Sequence, residues 1–175
     1  MAVVTPAVVP VVVRINRAFA ARTMQQAFIQ SARLPIGYPM QHPDPDAVAP
    51  DAALIEALAL TAIEALPEAF RVAAQAIALR VAEFPADDML EQFGIEDAFD
   101  LTGLYDGVPL TERSVTDQPD RPDAIWLFRR PILDEWAERG NVTLAELVSH
   151  VLIHELAHHF GWSDDDIAAI DAWWE

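Results

Sequence analysis

The stretch from Thr143 to Gly161, TLAELVSHVLIHELAHHFG, constrains the fold more than any other part of the chain, because both ends of a helix are written into it. Thr143 and Glu146 have the spacing of a capping box, in which each side chain satisfies a backbone N–H at the first helical turn. Gly161 can take the left-handed conformation that stops a helix. The expected helix therefore runs to Phe160 and carries His154, Glu155 and His158 on its last turns.

Residues four apart on a helix stand about 40° apart around the axis and one turn along it. His154 and His158 can thus aim two imidazole nitrogens at one point. Glu155 lies about 100° from His154 and about 60° from His158, so its carboxylate can flank a shared ion without being forced to bind it. The chain has no cysteine, so any metal must be held by His, Asp or Glu. Zinc suits such a set. Water held by zinc has a pKa near ~7, and an adjacent carboxylate can take its proton. A third protein ligand is required, with one position left open. Asp164, three residues after Gly161, can fold back to supply it, with Asp165 as the alternative. The pattern is then HExxHxxGxxD. Asp164, Asp165 and Asp166 also begin a helix, where acids are favoured by the backbone dipole in any case. His159 points about 140° from His154 and reads as a supporting or packing residue. His150, one turn earlier, can line a cleft, replace a ligand or simply pack. His42 sits among prolines and reads as incidental.

Two regions are expected. Residues 1–50 form an N-terminal arm, with a helix near 11–33 followed by a linker rich in proline (Pro35, Pro39, Pro43, Pro45, Pro50) that disallows helix and sheet ladders. The body, 51–175, begins with a helix capped by Asp51 and interrupted by Pro67. A second short helix over 68–74, a strand within 76–84 and a helix over 86–93 closed by Gly94 follow. A strand or bulged turn is expected within 101–108, a strand over 124–129, and a helix from Pro131 to about Gly140. Ser163 and Asp166 repeat the capping-box spacing and open a last helix, whose Ile167, Ile170, Trp173 and Trp174 should pack onto the body. This order of elements implies an α+β fold, a small sheet with helices packed on it.

Charge narrows the partners. Residues 1–43 hold four arginines and no acid. All 28 acidic residues lie in 44–175 against seven arginines. A body this acidic repels phosphate backbones, so nucleic acid is not expected. No apolar run is long enough to span a bilayer. Residues 1–13 are valine-rich but contain Pro6 and Pro10 and lack a basic leader, which makes a poor secretory signal. The absence of cysteine fits a reducing compartment, and the expectation is a cytoplasmic protein.

At GLYDGVPLTERS (103–114), FRRPIL (128–133) and HELAHHFGWSDDDI (154–167) the chain resembles the small bacterial zincin-like metallopeptidases, also described as minimal zincins. The resemblance covers roughly 51–170. It implies a compact zincin-like α+β core with a small mixed sheet over the HExxH helix. It also implies zinc bound by His154, His158 and Asp164, and Glu155 as the base that activates a zinc-held water for hydrolysis of a peptide or protein substrate. In zincins a peptide lies along an edge strand beside the metal, and 124–129 is the candidate for that strand. Tyr105, Arg129 and Arg130 are candidate donors to the oxyanion, a surface or structural role being the alternative for each. The third ligand is acidic and no methionine follows the motif, unlike the larger metzincins. A non-catalytic, zinc-stabilised interaction module is the alternative use of the same residues.

Overall fold

In the computed structural model, residues 48–113 and 121–168 are described. The expected arm helix, most of the linker, His42, Ser114 and the terminal Ile170, Trp173 and Trp174 lie outside them.

The first described helix starts where its capping residue predicts. The Asp51 carboxylate accepts from the Leu54 N–H at 2.8 Å and opens α1, Ala52–Ala65. Pro67 follows and sits at the N-cap of α2, Glu68–Gln75. Strand β1, Ala78–Ala82, and helix α3, Asp87–Phe93, come next, the latter ended by Gly94 in the left-handed conformation. A 3-10 turn at Ala98–Asp100 leads into β2, Gly103–Asp106, and a second at Leu110–Glu112 follows it. Strand β3, Ala124–Phe128, passes directly into α4, Arg129–Arg139. Pro131 therefore sits inside the first turn, where its missing N–H costs no intrahelical bond. Helices α5, Leu144–His159, and α6, Asp164–Ala168, are the last elements among the described residues.

The three strands form one mixed sheet in the order β1-β3-β2. β1 runs parallel to β3, and β2 antiparallel to it. β3 is thus central, which corrects the expectation that 124–129 is the edge strand. Its run AIWLF is apolar throughout because both of its faces are covered. Ile125 and Leu127 join the main core with Ile55, Leu147, Leu152 and Leu156. Trp126 and Phe128 pack on the other face with Leu101, Leu104 and residues of α3. Ile77, Leu79 and Val81 share the main-core face of the first strand region, as their alternation predicts.

Helix α1 supplies wholly buried Ile55 and Ala59 to that core and packs along α5. Helix α5 also lies against β2 and β3. The contact with β2 is close because Gly103 has no side chain. A Cβ there would stand 2.7 Å from Val151 Cγ1 and 2.9 Å from Glu155 Oε1. This proximity sets where Glu155 stands against β2. Among the described residues, no helix is long and apolar enough to cross a membrane.

Candidate metal centre

Both capping boxes expected from the sequence form, and they fix the two helices that meet at the site. Thr143 Oγ1 accepts from the Glu146 N–H while the Glu146 carboxylate accepts from the Thr143 N–H at 2.7 Å. Ser163 and Asp166 make the same exchange at the start of α6. Between them the chain turns through Gly161, whose φ of 86° is the left-handed conformation that favours glycine. The turn returns Asp164, the first residue of α6, to the last turns of α5.

There Asp164 Oδ1 stands 3.3 Å from His154 Nε2 and 3.4 Å from His158 Nε2. All three candidate ligand atoms lie within 4.8 Å of one another. Contacts of this length are too long for strong hydrogen bonds. They match another arrangement. Ligand atoms about 2.0–2.1 Å from one zinc ion, at the corners of a tetrahedron, stand about 3.3–3.4 Å apart. The donor set, two imidazoles and a carboxylate, is also one that zinc accepts. Asp165 makes no hydrogen bond or ion pair with either imidazole.

The tautomer of His158 agrees with this use. Its Nδ1 lies 2.8 Å from the Trp162 carbonyl oxygen. A carbonyl only accepts, so Nδ1 carries the hydrogen and Nε2 keeps its lone pair for the cluster. That Nε2 is buried and has no hydrogen-bond partner. Burial works against a charge on His158, but Asp164 and Glu155 outweigh it and raise its pKa. Burial likewise works to raise Asp164, and the two imidazoles more than reverse it, holding the carboxyl far below the usual carboxylate range.

Glu155 is wholly buried. Its Oε2 accepts from the Tyr105 N–H at 2.8 Å, while Oε1 is buried with no partner. One oxygen is therefore fixed by the sheet and the other has no partner. Burial raises the Glu155 pKa, against the pull of His154, His158 and the Tyr105 N–H. His150 is half-buried, its ring centroid 6.4 Å from that of His154. Burial, His154 and Arg139 lower its pKa to about 3, so it is a neutral imidazole one turn from the cluster.

The sequence pattern of the family described as zincin-like metallopeptidase matches residues 74–174. The chain belongs to this family. No curated protein matches it. The match supports a metallopeptidase-type function and spans all three strands and both helices of the site. Helix α1 precedes the matched residues. Its wholly buried Ile55 and Ala59 nevertheless make it part of the same core in this zincin-like metallopeptidase.

Three expectations about this zincin need correction. Tyr105 is not free to meet an oxyanion. It is wholly buried, and its hydroxyl lies 3.1 Å from the Val108 carbonyl oxygen, 3.0 Å from Asp123 Oδ2 and 3.0 Å from His159 Nδ1. Arg129 pairs with Glu83 at 2.7 Å and donates to the Pro50 carbonyl. Arg130 lies over the Phe84 ring. Both arginines are committed elsewhere. Other residues that support the site have no counterpart among the sequence expectations. Gly103 carried a signal, since an isolated glycine within a strand marks a close approach of another group. Thr111 and Arg113 lie in the run 103–114 that carries the resemblance but had no role assigned, and Asp123 carried no signal.

Proposed function

We propose that this zincin-like metallopeptidase binds zinc through His154, His158 and Asp164 and hydrolyses peptide bonds with Glu155 as general base. The observation that supports it best is the convergence of two imidazoles and one carboxylate, at 3.3 and 3.4 Å, within reach of the electrostatic influence of a buried glutamate.

Zinc, when bound, supplies Lewis acidity that makes water a nucleophile near neutral pH and polarises the scissile carbonyl. The protein supplies the rest. Tyr105 N–H holds Glu155 Oε2, so the unpartnered Oε1 is the atom that takes the proton from the attacking water. The same oxygen returns that proton to the departing amine. Burial raises the pKa of Glu155, which helps it hold the proton between the two steps. His158 is 1% exposed, so substrate approaches from the side of His154 and Asp164, where Asp164 is 55% exposed.

β2, not 124–129, is the outer strand on the side of Glu155, and its backbone holds that carboxylate. The Thr102 carbonyl accepts from the Phe128 N–H, so even-numbered positions of this segment face β3. Gly103 and Tyr105 turn their backbone groups to the outer edge, where the Tyr105 N–H meets Glu155. Peptides or proteins, rather than nucleic acids, are the substrates in a body this acidic. A cytoplasmic site of action, suggested by the cysteine-free composition, belongs to the same proposal.

The test is zinc content and cleavage of a broad peptide library by wild type and Glu155→Gln. Both should hold one zinc per chain, and the variant should cleave at least about 100-fold more slowly. Wild type without stoichiometric zinc at neutral pH would remove the proposal. Zinc binding with no cleavage by either protein would favour the non-catalytic, zinc-stabilised interaction module, a reading consistent with the complete burial of Glu155.

A further inference from the structure

Behind the metal centre lies a second polar cluster that no step of hydrolysis uses. Asp123 Oδ2 receives three groups: the Tyr105 hydroxyl at 3.0 Å, His159 Nδ1 at 3.1 Å and the Arg113 guanidinium. Arg113 Nε also donates to the Val108 carbonyl at 2.9 Å, the same carbonyl that meets the Tyr105 hydroxyl. The ring of Tyr105 stands edge-on to that of His159, with centroids 5.5 Å apart. Tyr105 is wholly buried and His159 is 5% exposed, so water does not compete for these contacts. A carboxylate accepts only, so His159 Nδ1 carries its hydrogen toward Asp123 and the Tyr105 oxygen.

The cluster joins the elements that the metal centre depends on. Tyr105 touches both sides, with its N–H on Glu155 Oε2 and its hydroxyl beside His159. His159 follows His158 and ends α5, where a helix is least held by its own bonds. The loop carrying Val108 and Arg113 also carries Thr111, packed on the Gly161 turn that presents Asp164. A Cβ on Gly161 would collide with Thr111 Oγ1. A Cβ on Gly107 would stand 2.5 Å from the Tyr105 hydroxyl and 2.7 Å from Asp123 Oδ1. Loop, sheet and helix end are therefore packed without slack.

We propose that Tyr105, Asp123 and His159 are positioning residues that fix the last turn of α5, and so set the geometry of His158 and Asp164 relative to Glu155. The proposal rests on the metal-centre reading above. Its mechanism is orientation through the helix: His159 touches no ligand atom, but its tether fixes how the last turn is rotated. Loss of the tether lets that turn and the Gly161 turn after it relax, and the ligand atoms drift from their common point.

The test uses the full chain, stripped of metal and titrated with zinc against a competing chelator and with cobalt(II) followed by visible absorption. Tyr105→Phe keeps the ring and the N–H and removes only the hydroxyl. It should weaken zinc binding about 10-fold, with His159→Ala closer to about 100-fold, the range for loss of a group that orients a ligand. Both should shift the cobalt absorption bands. His159→Asn keeps an N–H where Nδ1 stands and should bind within about threefold of wild type with the wild-type spectrum. A general loss of packing would leave Asn as weak as Ala, and that result overturns the proposal. So does wild-type affinity with an unchanged spectrum in Tyr105→Phe and His159→Ala, provided that wild type binds one metal. Wild type that binds none overturns the metal-centre reading itself, and this proposal with it.

Discussion

Gly103→Ala isolates the contact on which the placement of Glu155 depends. Gly103 has no positive φ, so its backbone suits any residue. An alanine there would ordinarily stabilise the protein by about 0.4–1 kcal/mol, through the reduced freedom of the unfolded chain. Contacts in this structure reverse that sign. The new methyl would stand 2.7 Å from Val151 Cγ1 and 3.0 Å from Glu155 Cγ. Carbon atoms pack at about 3.5–4.0 Å, so roughly 1 Å of displacement is needed. Neither neighbour moves freely, since Val151 is wholly buried and Glu155 is held by the Tyr105 N–H. Overpacking of this kind costs about 1–3 kcal/mol, which lowers the thermal midpoint of a chain this size by about 2–12 °C. A carboxylate displaced by about 1 Å should also lower peptide cleavage about 100-fold. Zinc affinity should stay within about threefold, because His154, His158 and Asp164 do not touch the new methyl. Thermal unfolding by circular dichroism reads the first effect and chelator competition the last. A midpoint unchanged or raised would show that β2 does not press on Glu155 and would refute the reasoning.

Gly161→Ala should act on the other half of the site. It combines a left-handed φ of 86° with a collision against Thr111, so both the thermal midpoint and zinc affinity should fall, the latter by at least about 10-fold in a chelator titration. Zinc at about 1,000 times its Kd should stabilise the wild type by about 4 kcal/mol, and a chelator should abolish the gain in a melting experiment. Glu135 gives a pH test away from the metal. Burial raises its pKa, with Arg139 pulling it back and Glu138 adding to it. A raised carboxyl contributes stability below its unfolded pKa and loses it as pH rises through the folded value. Glu135→Gln should therefore gain stability relative to wild type as pH rises above the ordinary carboxylate range, as read by urea denaturation at a series of pH values. A difference independent of pH would contradict the assignment.

Local signals in the sequence were read well because their causes are local. Asp51, Thr143 with Glu146, and Ser163 with Asp166 each satisfy N–H groups within three residues, so a linear pattern suffices to find them. Gly94, Gly140 and Gly161 all adopt positive φ at helix ends. The convergence of His154, His158 and Asp164 was legible for the same reason: one helical turn and one glycine stop bring the three together. Strand order was not read, although a signal existed. The run AIWLF does not alternate, and a strand apolar on both faces is central rather than at an edge. Tyr105 was misassigned because its partners, Asp123 and His159, are 18 and 54 residues away. No spacing rule reports such contacts. The start of α4 at Arg129 was placed late because Pro131 suits the first turn generally, and not its first position alone.

The account depends on a divalent ion sharing His154, His158 and Asp164. Zinc stoichiometry of purified protein at neutral pH, in wild type, Glu155→Gln and His158→Ala, tests this most directly. One zinc per chain in the first two, and loss of zinc in the third with the fold intact by circular dichroism, is the predicted result. Wild type without zinc, or His158→Ala retaining it with unchanged affinity, would contradict the account.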